Sequence, residues 1–84
     1  MAKYYVVLSS VTTAQRFNKI LTQNAIKSGF VHTPRRISAG GCSYSMIVNG
    51  KQLADAIRLA GENRIVIKAV YEKKTDDSFV QITL

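Results

Sequence analysis

Among its 84 residues the chain has no tryptophan, one proline, one histidine and one cysteine. A lone cysteine closes no disulfide within the chain, which fits a reducing compartment. His32 and Cys42 are the only strong soft ligands. A zinc site usually needs four, or three with water, so neither a metal nor a cofactor is expected. No apolar run approaches the roughly 20 residues that cross a bilayer. The N-terminus lacks the long apolar region and small-residue cleavage site of a signal peptide. A cytoplasmic location without a membrane partner is therefore expected. No P-loop or dinucleotide fingerprint occurs, and Asp55, Glu62, Glu72, Asp76 and Asp77 form no evident acid/base pair. A carrier or binding protein is expected rather than a stand-alone enzyme.

Acidic residues are missing from positions 1–54, which hold seven basic ones, whereas positions 55–84 hold five of each sign. The net charge is +7. A field this one-sided attracts anions: nucleic acid, an acidic protein or a phosphate-bearing ligand. Solubility alone also accounts for it. The hydrophobic fraction of 46% is that of a globular chain, and the length suits a single domain over 1–84 with one modest core.

Lys3 to Leu8, rich in tyrosine and valine, predicts a buried strand. Thr12 and Gln15 have capping-box spacing. Ala14, Phe17, Ile20, Leu21 and Ala25 then form the apolar face of a helix that Gly29 can end. Phe30 to His32 predicts a short strand stopped by Pro34, and Ile37 to Cys42 a loop. Ser43 to Val48 predicts a strand with Tyr44, Met46 and Val48 on one side. Asn49 and Gln52 repeat the capping spacing before a second helix lined by Leu53, Ala56, Ile57 and Ala60, with Gly61 placed to end it. Arg64 to Tyr71 and Phe79 to Leu84 predict a terminal hairpin. The order β-α-β-β-α-β plus a trailing strand predicts an α+β, ferredoxin-like two-layer sandwich with an extra C-terminal strand. The trailing strand leaves a sheet edge through which a homodimer could form.

The chemistry gathers in Thr33-Pro34-Arg35-Arg36-Ile37-Ser38-Ala39-Gly40-Gly41-Cys42. A thiol attacks or carries sulfur as its thiolate. Gly40 and Gly41 can turn successive N–H groups inward as an anion nest, and Arg35 or Arg36 can come near if the loop folds back. The same features suit a bound phosphate, and a lone cysteine is often a small buried hydrophobe. His32 reads as structural rather than as a base. Tyr4, Tyr5 and Tyr44 could stack nucleic-acid bases, although the RNA-recognition signature is missing and a place in the core suits them better.

Thr33-Pro34-Arg35-Arg36-Ile37-Ser38 with Cys42, behind a tyrosine-valine strand, a Ser/Thr-rich turn and a helix, resembles the selenium/sulfur carrier-like proteins, a family of small bacterial domains. The resemblance spans roughly residues 3–71. It implies that Cys42 is a carrier thiol, with Arg35 matching the arginine after the proline and Ser38 opening the cysteine loop. It further implies donor and acceptor proteins for sulfur or selenium as partners. Members tend to have Cys-Gly, whereas here Gly41 precedes the sulfur and Ser43 follows it. The expected function is thus a persulfide carrier. The alternative is a non-catalytic binding or assembly module whose basic surface meets an anionic partner.

Overall fold

The computed structural model describes residues 3–37 and 43–82. The elements run β1 (Lys3–Leu8), α1 (Val11–Gln23), β2 (Gly29–His32), β3 (Tyr44–Asn49), α2 (Leu53–Glu62), β4 (Ala69–Lys73) and β5 (Phe79–Ile82). The five strands form one antiparallel sheet in the order β2-β3-β1-β4-β5. The α+β class and the extra C-terminal strand are as expected. The order is not that of a four-stranded ferredoxin-like sheet, because β5 extends the β4 side. Val6 lies opposite Met46 on one neighbour and Val70 on the other, which sets the register at the centre of the sheet.

Alternation along β1 sends Val6 and Leu8 to one face of the sheet and Tyr5 and Val7 to the other. The first face carries both helices. Val6, Leu8, Met46, Val48 and Val70 pack there with Ala14, Phe17 and Leu21 of α1 and Ala56, Leu59 and Ala60 of α2. Full burial of a side chain such as Phe17 contributes about 2–3 kcal/mol. Arg16 ties the helices together by donating to the Asn63 carbonyl at 2.9 Å. A cation is well placed there, beside the negative end of α2.

Several local expectations are corrected. Ser10, not Thr12, caps α1: its hydroxyl accepts from the Thr13 N–H at 3.2 Å. The helix stops before Gly29, because Ala25 takes a left-handed φ of 59°. The Ile26 N–H then bonds back to the Leu21 carbonyl at 2.9 Å and the Ala25 N–H to Thr22 at 3.1 Å. The second helix ends in the same way. Arg64 has φ 58°, and Ile65 bonds to Ala60 at 2.8 Å while Arg64 bonds to Gly61 at 3.3 Å. Both are Schellman closures in which the residue after the left-handed one is a buried isoleucine. Gly61 therefore lies inside α2, and β4 begins at Ala69 rather than Arg64 because Arg64 and Ile65 are used in closing the helix.

Candidate functional site

The site is the segment from Thr33 to Ser43 and the sheet face beneath it. Ser45 pairs with Val7, so it lies on the face away from the helices. Among the described residues nothing helical covers that face, yet Val7 is 2% and Ser45 0% exposed. The chain leaving β2 accounts for much of this. The Thr33 hydroxyl meets the Ser45 hydroxyl at 2.7 Å, and the Thr33 N–H donates to the Ser43 carbonyl at 3.0 Å. Both ends of the loop are thus fastened at one point. Pro34 starts a tight turn closed by the Ile37 N–H on the Pro34 carbonyl at 3.0 Å.

Arg36 then reaches across to the hairpin between β4 and β5. Its guanidinium donates to the Asp77 carbonyl at 3.0 Å. Asp77 has a left-handed φ of 66°, and its N–H bonds to the Lys74 carbonyl. The Ser78 hydroxyl and N–H both donate to the Asp76 carboxylate, the hydroxyl at 2.6 Å. Those bonds, the hydroxyl's above all, hold the Asp76 carboxyl below its ordinary value. Phe79 of the same hairpin stands edge-on to Tyr5, with ring centroids 5.2 Å apart. The hairpin thus grips the loop root through Arg36 and covers the same sheet face through Phe79.

Of the residues singled out in the sequence, Arg35 and Arg36 occupy the turn after Pro34, both exposed. Arg36 is committed to Asp77, while Arg35 makes no ion pair among the described residues. Ser38, Gly40, Gly41 and Cys42 lie outside the described residues. His32 is on the other face, its ring 4.6 Å from that of Tyr44, which in turn meets Phe30 at 5.6 Å. The three tyrosines divide between the two faces: Tyr4 and Tyr44 pack against the helical core and Tyr5 lies opposite. They make no single stacking platform. Lys3 and Lys27, with Ser28, Gly29, Ile47, Val48 and Asn49, line a shallow cleft of about 250 Å³.

Three residues to which the sequence assigned no part in the site belong to it: Ser43, Ser45 and Asp77. Ser43 and Ser45 alternate with Tyr44 and Met46 and so resemble the wet side of a strand. Both are buried. The signal available was Thr33, a third small hydroxyl at the other end of the loop.

Among the described residues no helix is long and apolar enough to cross a membrane. No group of three or more His, Cys, Asp or Glu side chains could hold a metal ion there. No curated protein and no solved structure matches the chain. A family model does match, over residues 3–72, from β1 to within one residue of the end of β4. The strapped loop between β2 and β3 falls inside that span, and the chain belongs to the family described as "Putative Se/S carrier protein-like".

Proposed function

We propose that the protein carries sulfur or selenium on Cys42 and passes it between partner proteins. The family match over residues 3–72 is the observation that carries this reading. In the sulfur case the Cys42 thiolate attacks the terminal sulfur of a donor enzyme's persulfide. The new Cys42–sulfur bond forms as the donor's sulfur–sulfur bond breaks, and the donor cysteine leaves as a thiolate. No outside oxidant or reductant is consumed. An acceptor then takes the outer sulfur in a second exchange of the same kind.

Each neighbouring residue has a part. Arg35, exposed and unpaired among the described residues, offers its charge to the anionic sulfur. Arg36 holds the loop root to the hairpin. In this reading Gly40 and Gly41 are the residues assigned to offer backbone N–H groups to the anion, with Ser38 at the start of the cysteine segment. The sheet is read as a ferredoxin-like core, β2-β3-β1-β4, with β5 added at one edge. In it β3 sits between β1 and β2, and β1 between β3 and β4, so the loop joins strands that are neighbours in the sheet.

Incubation with a cysteine desulfurase and radiolabelled cysteine should place label on the wild-type protein and none on Cys42→Ser, with both giving the same circular dichroism. Label that persists on the serine variant would refute the assignment.

A further inference from the structure

All five carboxylate side chains of the chain are engaged close to home. Arg58 lies between Asp55 at 3.7 Å and Glu62 at 3.3 Å. Lys74 meets Glu72 at 3.2 Å, Lys73 meets Asp77 at 3.5 Å, and Asp76 accepts from the Ser78 hydroxyl. Every one of those partners belongs to positions 55–84. Among the described residues the cations of positions 1–54 are left without a carboxylate. Two of them, Lys3 and Lys27, are exposed and line the same cleft of about 250 Å³. Like charges that share a cleft repel each other and draw an anion between them.

The other polar side chains of the cleft are already used. The Ser28 hydroxyl donates to the Asn18 side chain at 3.3 Å, and the Asn49 side chain is bonded to Gln52 at both of its polar atoms. Gly29 and Ile47, opposite each other in the sheet, add apolar surface. The cleft therefore offers positive charge beside apolar surface. Asn49, Ile47 and Ser45 alternate onto one face of β3, and Ser45 meets Thr33 at the loop root. Four residues of strand, about 13 Å, separate Asn49 from Ser45.

Magnitudes choose the occupant. An exposed ion pair improves binding about fivefold at most, so two would hold a free ion only at about tens of millimolar. Among the described residues no aromatic ring lines the cleft, so nucleic-acid bases would find nothing there to stack on. A second copy of this chain brings only carboxylates that are already engaged. A protein interface of standard size covers about 800 Å² on each side, enough to seat acidic residues on the two lysines and to reach the loop root as well. We propose that the Lys3–Lys27 cleft receives an acidic segment of a partner protein and that this partner, on the carrier reading, is the sulfur donor.

Initial rates of label transfer from the cysteine desulfurase are measured against desulfurase-to-carrier ratio in wild type, Lys3→Gln/Lys27→Gln and Lys19→Gln/Lys68→Gln, with circular dichroism alongside. The cleft variant should raise KM for the carrier about tenfold with kcat little changed, and high salt should bring wild type to the same KM. The second pair removes equal charge elsewhere and should change KM less than about twofold. Equal KM in wild type and the cleft variant would overturn the proposal, as would an equal rise in both variants. Separately, the amide signals of Gly29 and Asn49 are followed by NMR during titration with polyglutamate, inorganic phosphate or oligothymidylate at low salt. Polyglutamate should move them in wild type and not in the cleft variant. Signals that stay fixed, or that oligothymidylate moves as strongly, would also overturn it. Wild type that takes up label while the cleft variant keeps its KM retains the carrier and removes this site. Unlabelled wild type whose cleft signals still move with polyglutamate removes the carrier and retains the acidic-partner site.

Discussion

Thr33 and Ser45 bury two hydroxyls against each other at 2.7 Å. Their worth is conditional on both being present. Thr33→Val keeps the volume but leaves Ser45, 0% exposed, without its partner, which costs about 1–3 kcal/mol. The double variant Thr33→Val/Ser45→Ala removes both groups and should recover most of that loss, as read from denaturant midpoints at constant slope. A double variant no more stable than the single one would show the two hydroxyls to be energetically independent. This pair also shows why part of the site was hidden in the sequence. Small hydroxyls alternating with apolar residues mark a wet strand face, unless another segment covers it. The covering segment here is the stretch after β2, whose path depends on contacts with residues far along the chain, 12 away for Ser45 and 41 for Asp77. The local signal was sound at Pro34, which begins the turn.

The two helices close on the same three-residue pattern, Asn24-Ala25-Ile26 and Asn63-Arg64-Ile65. In each the asparagine side chain donates to a carbonyl four residues back, Ile20 at 2.8 Å and Leu59 at 2.9 Å. The next residue turns left-handed, and the isoleucine drops into the core. A side chain with a Cβ costs about 1–2 kcal/mol in that conformation. Ala25→Gly and Arg64→Gly should therefore each stabilise the protein, by about 0.5–1 kcal/mol after glycine's own entropy is set against the relief. Gly61 is the converse case. It sits within α2 with nothing inside 4 Å of the position a Cβ would take, so Gly61→Ala should add up to about 1 kcal/mol. Thermal denaturation of the three variants tests the set; a loss on Gly61→Ala would mean that the glycine serves something other than the helix. Hydrophobic periodicity located both helices to within a few residues. It placed their ends at glycines because glycine is the usual left-handed residue, and the deep seat of each isoleucine is a tertiary fact that periodicity does not carry.

Over the whole molecule, the family match ends at residue 72, before the turn and β5. Yet that last hairpin supplies the Asp77 carbonyl to Arg36 and the Phe79 ring to Tyr5. The loop between β2 and β3 is therefore held from two sides: by its own root at Thr33, Ser43 and Ser45, and by a hairpin outside the matched span. The root is buried and the outer clasp is exposed, so the clasp is the weaker of the two. A hydrogen bond of this kind is worth about 1 kcal/mol at most when solvent competes for both groups. Arg36→Ala should consequently leave global stability nearly unchanged while loosening the loop. Amide exchange at Ile37 and Asp77, whose N–H groups close the turns on either side of the clasp, should quicken about two- to fivefold, and exchange at Val6 and Met46 in the sheet centre should not move. Arg36→Lys keeps the charge but lacks the planar fork, so exchange close to the alanine value would assign the effect to guanidinium geometry. Exchange close to wild type would assign it to charge. Equal protection in all three proteins would mean that the root alone sets the loop and that the hairpin merely lies beside it.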